Sequence, residues 1–151
     1  MCGFVGFTGH ESENALTADM LEVQSYRGPD YTGLFYCQGI HLGHNRLSIQ
    51  DLSGLGNQPL TSLCGNYTIV FNGEIYNFKA IREELKLLGF QFRSKTDTEV
   101  ILYSFILWGN DCVKKFIGMF AFCIYNKNNK TLSLFRDRAG VKPLYYYYVD
   151  E

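Results

Sequence analysis

The sequence predicts an α+β sandwich, because strands near both ends of the chain flank two or three helices. Short apolar segments punctuated by glycine and turn residues predict the strands, and apolar residues at helical spacing predict the helices. Strand and helix do not alternate regularly, which favours this sandwich over a doubly wound βαβ sheet. The 151 residues contain no internal repeat and suffice for one domain with its own core.

The first third of the chain predicts three strands and one helix. We expect a buried strand from Gly3 to Gly9, followed by a helix that Ser12 caps. A turn at Arg27–Asp30 leads to strands at Gly33–Cys37 and Ile40–Leu47. The apolar face of the helix is expected at Leu16, Met20 and Val23.

The middle of the chain predicts an irregular stretch from Asp51 to Pro59 and a strand over Tyr67–Phe71 that runs into Asn72-Gly73. A second helix follows, capped by Asn77 and stopped by Gly89. Its apolar residues repeat at helical spacing: Phe78, Ile81, Leu85 and Leu88.

The last third predicts a third helix and three strands. Thr96 and Glu99 have the spacing of a capping box, and the apolar segment Val100–Trp108 continues that helix. The unbroken run Tyr145–Tyr148 predicts a strand that is covered on both faces. The three strands are expected at Phe120–Tyr125, Thr131–Phe135 and Leu144–Val149.

Composition narrows the class of protein. With 46% hydrophobic and 19% charged residues the chain reads as globular, and a net charge of −1 gives no basic field for nucleic acid. The apolar segment Cys2–Phe7 is too short to span a membrane or to act as a secretory signal. We therefore expect neither a nucleic-acid nor a membrane partner.

The cysteines argue for a reducing compartment, and we expect a cytoplasmic protein. They are odd in number, scattered and free of C-x-x-C pairs, which disfavours a disulfide framework or a zinc site. No metal site is expected, and only the first cysteine is assigned any chemistry. The five are Cys2, Cys37, Cys64, Cys112 and Cys123.

Cys2 is the candidate nucleophile. If Met1 is removed, the thiol and a free α-amino group belong to one residue, and such an amine titrates near ~7.7–8.0 against ~8.5 for a cysteine. One residue can then supply both the nucleophile and its base. The alternative is that Cys2 is an ordinary buried cysteine.

Asn72-Gly73 is the candidate oxyanion hole. At the end of a strand, the side-chain amide of Asn72 and the unhindered backbone N–H of Gly73 can donate to a tetrahedral oxyanion. The alternative is a hairpin, for which Asn-Gly is a strong signal.

Two charged residues are candidates for binding the ends of an amino acid. Arg46 lies at a largely apolar strand end, where it binds either a substrate carboxylate or an internal acid. Asp97 lies in the first turn of the third helix, where it either caps the helix or holds a substrate ammonium. His44 is interpreted as structural and is left out of the mechanism.

Ordered motifs extend over nearly the whole chain. They are Cys2-Gly3-Phe4-Val5-Gly6, Arg27-Gly28-Pro29-Asp30, Arg46-Leu47-Ser48-Ile49, Gln58-Pro59-Leu60, Asn72-Gly73-Glu74-Ile75-Tyr76-Asn77, Thr96-Asp97-Thr98-Glu99, Gly118-Met119-Phe120-Ala121-Phe122, Arg136-Asp137 and Lys142-Pro143-Leu144-Tyr145-Tyr146. Together these motifs resemble those of the class II glutamine amidotransferases, which are N-terminal nucleophile hydrolases. More narrowly, they resemble the amidotransferase domain of glutamine-hydrolysing asparagine synthetases.

The resemblance implies a four-layer αββα sandwich of antiparallel sheets, truncated at its C-terminus. It also implies that Cys2 is the nucleophile, with its own amine as base, and that Asn72 and Gly73 form the oxyanion hole. The implied substrate-binding residues are Arg46 for the α-carboxylate, Leu47, Ile49 and Gln50 for the pocket wall, Asn72 and Gly73, and Glu74 and Asp97 for the amino end.

By the same resemblance, residues 1–151 form a type 2 glutamine amidotransferase domain that is incomplete at its C-terminus. The expected partners are L-glutamine, the synthetase domain of a full-length protein and, in the full-length form, a second copy that completes a homodimer. No cofactor is expected in this chain, which shows no phosphate-binding glycine motif. ATP and Mg²⁺ are expected only in the absent synthetase domain.

Three functions remain open at this point. The first is glutamine hydrolysis that supplies ammonia for asparagine synthesis from aspartate and ATP. The second is the amidotransferase domain of a related enzyme with another ammonia acceptor. The third is a fragment that keeps the fold without catalysis, against which Cys2, Arg46 and Asn72-Gly73 argue.

Overall fold

The structure, a computed structural model, describes residues 2–10 and 13–149. Met1 and the expected helix cap Ser12 lie outside these ranges. Among the described residues, no helix combines the length and the apolar character that crossing a membrane requires.

Two antiparallel sheets form the centre of the fold. The first has the order β1-β3-β2, from β1 (Gly3–Thr8), β2 (Tyr31–Cys37) and β3 (Ile40–Arg46). The second has the order β4-β5-β6-β7, from β4 (Leu60–Thr61), β5 (Tyr67–Ile75), β6 (Gly118–Asn126) and β7 (Thr131–Arg136). The sheets contact each other through β5, which packs against β1 and β3.

Helices cover the outer faces of both sheets. Helix α1 (Asn14–Val23) packs on the first sheet, and α3 (Asp97–Trp108) packs on β5 with α2 (Phe78–Leu87) beside it. The predicted four-layer αββα sandwich is therefore confirmed.

Two apolar clusters hold the layers together. The smaller one lies between the sheets and consists of Ile40, Leu42, Val70, Cys123 and Tyr125. The larger one lies between the second sheet and α2 and α3. Successive residues of β5 alternate between them, since Val70 belongs to the first and Phe71 to the second.

The first helix is confirmed, but its predicted apolar face is wrong. Leu16 is half exposed and Val23 is 81% exposed, whereas Thr17 and Leu21 are buried. The reason lies in β3, where Gly43 leaves the space that Leu21 fills: a Cβ at position 43 would lie 2.6 Å from Leu21 Cδ1. The glycine, and not the hydrophobicity of the helix alone, selects the buried face.

The predicted helix caps are also replaced by other contacts. Asn77 precedes α2, but its side chain accepts a hydrogen bond from Ile117 N (2.9 Å) and donates one to Lys115 O (2.9 Å). Asn77 thereby joins the start of α2 to the segment before β6. Gly89 ends this helix region with a φ of +90°, as predicted for a glycine stop.

Glu99 does not complete a capping box with Thr96. Its buried carboxylate accepts hydrogen bonds from Arg93 N (3.0 Å), Ser94 N (2.7 Å) and Ser94 Oγ (2.8 Å). Glu99 therefore fixes the loop that leads into α3, and it lies in the same first turn as Asp97.

The predicted strand at Leu144–Val149 is wrong. This segment has no regular structure, and the four tyrosines from Tyr145 to Tyr148 are exposed. The carboxylate of Asp137 accepts hydrogen bonds from Val141 N (2.9 Å) and Lys142 N (3.0 Å), which holds the turn between β7 and this segment. No strand among the described residues lies beside the tyrosine run to pair with it.

The packing of α1 gives a direct test of the corrected face. We expect Leu21→Ala to lower the free energy of unfolding by roughly 2–5 kcal/mol, because it leaves a cavity against β3. The matched change Val23→Ala in the same helix should be close to neutral, because Val23 is exposed. Urea denaturation measures both, and equal losses in the two variants would contradict this packing.

Candidate active site

A cavity of about 100 Å³ opens where the ends of β3 and β5 meet the start of α3. The structure brings together there all but one of the predicted site residues. Those that line the cavity are Cys2, Arg46, Leu47, Ile49, Gln50, Gly73, Glu74 and Asp97. Asn72 is buried beside Gly73 and does not line the cavity.

Cys2 lies at the rim of the cavity, immediately before β1. Its Sγ accepts a hydrogen bond from Leu47 N (3.4 Å) and lies 3.7 Å from Leu47 O. Arg27 Nε donates to Cys2 O (3.2 Å), so the residue is held from both sides while remaining partly exposed. That Arg27 holds Cys2 was not predicted from the sequence. The signal that could have indicated it is the Arg-Gly-Pro-Asp motif, which begins at Arg27.

Two of the other cysteines are placed where a thiolate is disfavoured. Cys112 and Cys123 are buried, and desolvation raises the pKa of each thiol to about 12. Neither lines the cavity, so neither competes with Cys2 as a nucleophile in this site.

Arg46 is buried and supports the loop that forms one wall of the cavity. Its Nη1 donates to Ser53 O (2.9 Å) and Asn57 Oδ1 (2.7 Å), and its Nη2 donates to Asp51 O. Among the described residues, no carboxylate forms an ion pair with this guanidinium. The alternative of an internal salt bridge is therefore not found among the described residues, although the charge of Arg46 adds to the hydrogen bonds that lower the pKa of Asp51, and Arg46 lines the cavity.

The hairpin alternative for Asn72-Gly73 is wrong as well, because β5 continues without a turn to Ile75. Gly73 lies opposite Phe120, and a Cβ on Gly73 would lie 2.2 Å from Met119 O. Close approach of two strands therefore explains the glycine.

The backbone N–H of Gly73 points away from β6. Phe120 exchanges hydrogen bonds with Asp137 on its other side (Phe120 N to Asp137 Oδ2 3.1 Å, Asp137 N to Phe120 O 2.8 Å). In an antiparallel ladder, the residue facing Phe120 then also directs its N–H and C=O outward. On that side β4 pairs only with Thr68 and Ile69, so it does not reach Gly73.

The outward-facing N–H groups of β5 beyond β4 form a short row, which we call the free edge. Phe71 N donates to Gln58 Oε1 (2.6 Å), and Ile75 N donates to Asp97 Oδ2 (3.0 Å). Gly73 lies between them, and within the described part of the chain no group accepts a hydrogen bond from its N–H. A donor is thereby left open at the wall of the cavity.

Asn72 projects from the opposite face of β5 to Phe71 and Gly73. Because side chains alternate along a strand, it shares with Val70 the face directed at the first sheet, where Cys2 begins. No hydrogen bond joins its carboxamide to another described residue. This amide is a second donor without an internal partner.

Asp97 is a buried carboxylate at the first position of α3. Burial raises its pKa to about 6, against the opposing effect of the hydrogen bond from Ile75 N. The nearby charge of Glu74 also raises the pKa. Two acids on one side of the cavity make that side suited to a cation.

His44 is structural, in agreement with its sequence interpretation. It is fully buried, and its Nε2 donates to Phe71 O (3.1 Å), which joins β3 to the free edge of β5. Desolvation lowers its pKa to about 4, and the charge of Arg46 adds to this effect. The imidazole is therefore neutral at pH 7.

Asp51 was not predicted as a site residue. One carboxylate oxygen accepts hydrogen bonds from Ser53 N and Oγ (2.9 and 2.6 Å), and the other accepts from Lys95 N (3.0 Å). These bonds lower its pKa to about 2. Asp51 thus joins the loop around Arg46 to the loop before α3, and no local sequence signal marks such a contact over 44 positions.

The four-layer αββα core is the N-terminal nucleophile hydrolase fold, and it places a thiol at the start of the first strand and donors without internal partners on β5. The solved structure of glutamine phosphoribosylpyrophosphate amidotransferase from B. subtilis has the same fold, with a TM-score of 0.70 and 20% identity over 84% of this chain and 35% of that one. Among the described residues, no group of three or more metal-ligating side chains could hold a metal ion.

The chain belongs to the glutamine amidotransferase domain family, whose model matches residues 1–151. It is 43% identical to asparagine synthetase [glutamine-hydrolyzing] 1 of Bacillus subtilis (strain 168), over 97% of this chain and 24% of that protein. It is 36% identical to amidase chyE of Penicillium rubens, over 97% of this chain and 24% of that protein. The chain thus spans about a quarter of the length of these relatives and matches the amidotransferase part of the synthetase.

The burial of Asp97 predicts a pH-dependent cost to stability. Its pKa is 3.8 when unfolded and about 6 when folded, so the folded state is favoured below pH 4 and loses stability as the pH rises through 6. We expect Asp97→Asn, which keeps an acceptor for Ile75 N, to be more stable than the wild type at pH 8 by on the order of 3 kcal/mol.

Urea denaturation at pH 4 and pH 8 checks this expectation, since the difference should shrink at pH 4. Asp51→Asn is the matched control, and it should be less stable than the wild type at pH 8. The reason is that hydrogen bonds lower the pKa of Asp51, so folding favours its ionised form. An Asp97→Asn variant that is less stable than the wild type at pH 8 would contradict the assignment.

Proposed function

We propose that this chain hydrolyses L-glutamine to glutamate and ammonia, with Cys2 as the nucleophile. The observation that carries the proposal is the open N–H of Gly73 on the free edge of β5, in the wall of the same cavity as the partly exposed Cys2 thiol. A thiol beside a donor without an internal partner is the arrangement that acyl transfer requires.

The first step is attack on the side-chain carboxamide. After removal of Met1, the α-amino group of Cys2 takes the thiol proton, and the Sγ forms a bond to the amide carbon. The negative charge that develops on the carbonyl oxygen is stabilised by Gly73 N–H and the carboxamide of Asn72.

The second step breaks the carbon–nitrogen bond. The protonated α-amine returns its proton to the departing nitrogen, which leaves as ammonia, and a γ-glutamyl thioester remains on Cys2. Water then attacks the thioester with the same amine as base, which releases glutamate and restores the thiol.

Charge placement supports glutamine as the substrate. The guanidinium of Arg46 forms no ion pair with a described carboxylate and suits the α-carboxylate of the substrate. Asp97 and Glu74 line the same cavity and suit the α-ammonium. Leu47, Ile49 and Gln50 complete the wall near Arg46.

The ammonia acceptor is proposed to be aspartate activated by ATP, in a protein whose further part supplies a synthetase domain with ATP and Mg²⁺. Support comes from the 43% identical relative, which is named a glutamine-hydrolysing asparagine synthetase. That domain and a second copy of the full-length protein are the proposed partners. All five cysteines are unpaired, which fits the cytoplasm as a reducing compartment.

A second candidate is an amidotransferase with another acceptor. The 36% identical relative from Penicillium rubens carries the name amidase and matches this chain over the same extent. The glutamine site is expected to be shared by both functions, because neither acceptor needs to enter the cavity described here.

The direct test is glutamate and ammonia release by the protein whose N-terminus is Cys2. We expect Cys2→Ala to abolish release, because the thiol forms the covalent intermediate, while Cys64→Ala, an exposed cysteine outside the cavity, should retain it. Chromatography of both products and N-terminal sequencing provide the measurement. Glutamate release that survives Cys2→Ala, or activity in a preparation that retains Met1 on every chain, would contradict the mechanism.

The proposed oxyanion hole predicts how far kcat falls when one of its two donors is removed. Asn72→Ala should lower kcat by roughly 10²–10³, because one of two donors to the oxyanion is lost. The control is Asn128→Ala, which makes the same substitution in the exposed turn between β6 and β7. A steady-state assay that gave Asn72→Ala the same kcat as this control would remove Asn72 from the oxyanion hole.

A further inference from the structure

We infer that Gln58 is a positioning residue for glutamine hydrolysis, whose buried carboxamide holds the oxyanion strand β5 and the start of α3 in place around the cavity. The inference rests on the proposed function. Gln58 lines the cavity but is not one of the groups expected to contact the ends of glutamine or its reacting atoms.

Both ends of the Gln58 carboxamide are occupied inside the protein. Oε1 accepts a hydrogen bond from Phe71 N (2.6 Å), and Nε2 donates to Thr98 Oγ1 (3.2 Å). The first bond fixes the orientation of the amide, because a backbone N–H only donates. Only 5% of the Gln58 surface is exposed, so bulk water does not compete for these two hydrogen bonds.

The first bond substitutes for a missing strand. β4 pairs with β5 only as far as Ile69, so Phe71 is the first residue of the free edge. The Gln58 side chain satisfies the Phe71 N–H there, two residues before Gly73 and on the same edge. Asp97 performs the same task at Ile75, two residues after Gly73. The open N–H is thus fixed from both sides.

The second bond reaches the cation-binding side of the cavity. Thr98 follows Asp97 directly in the first turn of α3 and is itself buried. One carboxamide therefore connects the oxyanion donor on β5 with the carboxylate expected to hold the substrate ammonium.

The backbone of Gln58 packs closely against the first sheet. A Cβ at Gly33 of β2 would lie 2.0 Å from Gln58 O, so only glycine allows this contact. Gln58 thus contacts one sheet with its backbone and the other with its side chain.

The two bonds predict separable kinetic effects. Gln58→Leu loses both, so it should lower kcat by about 10²-fold, the scale of a small misplacement at a reacting centre, and should also raise KM for glutamine. Thr98→Val loses only the bond to α3, so it should raise KM roughly 3- to 10-fold with little change in kcat.

A double-mutant cycle supplies a readout that a purely structural role would not move. If Gln58 acts through the oxyanion strand, then Gln58→Leu should lower kcat less in the Asn72→Ala background than in the wild type, because only the Gly73 donor is then left to be misplaced. Thr61→Val is the matched control, since it removes a side-chain hydrogen bond of the same sheet (Thr61 Oγ1 to Thr68 Oγ1, 3.0 Å) outside the cavity. We expect it to leave kcat and KM unchanged.

A folded Gln58→Leu variant with wild-type kcat, or with fully additive losses in the cycle, would overturn the inference. If that variant does not fold, Gln58→Asn, whose shorter amide cannot reach both partners, is tested by the same criteria. An unchanged KM in Thr98→Val would overturn the link to α3. The proposed function fails separately, if the wild type releases no glutamate or if release survives Cys2→Ala.

Discussion

The architecture of the site depends on the point at which β4 stops. Because this strand pairs only with Thr68 and Ile69, the rest of β5 has an edge without a neighbouring strand in the interior of the sandwich. Unpaired N–H groups in such a place are costly, and the protein satisfies those of Phe71 and Ile75 with the side chains of Gln58 and Asp97. Gly73 between them keeps its donor open, and this open donor is the basis of the proposed chemistry.

The same region carries charges that folding alone would not favour. Arg46 is buried with backbone and amide oxygens as its partners. Asp97 is buried and forms no ion pair with a described residue, and desolvation raises its pKa to about 6. A substrate with a carboxylate and an ammonium group compensates both. In the proposed function, recognition of an amino acid explains why the buried charge of Asp97 is kept at a cost to stability.

Much of this site could be predicted from sequence, because its signals are local. Cys2 at the N-terminus, Asn72-Gly73 at a strand end and Asp97 in a first helical turn each combine a residue type with a recognisable position. Other features depend on contacts that are distant in sequence. Gly43 selects the buried face of α1, and Gln58 substitutes for a strand because β4 is short. The strand predicted from the tyrosine run is also wrong, because a strand needs a neighbouring strand as well as suitable residues.

The central claim is that Cys2, freed of Met1, forms a covalent bond with the side chain of glutamine beside the free edge of β5. The most direct measurement is mass spectrometry of the protein quenched in acid during turnover, with peptide mapping of the modified residue. The account predicts a γ-glutamyl thioester on Cys2 in chains that begin with Cys2. A γ-glutamyl group on any other residue, or glutamate release with no covalent intermediate at any time of quenching, would contradict it.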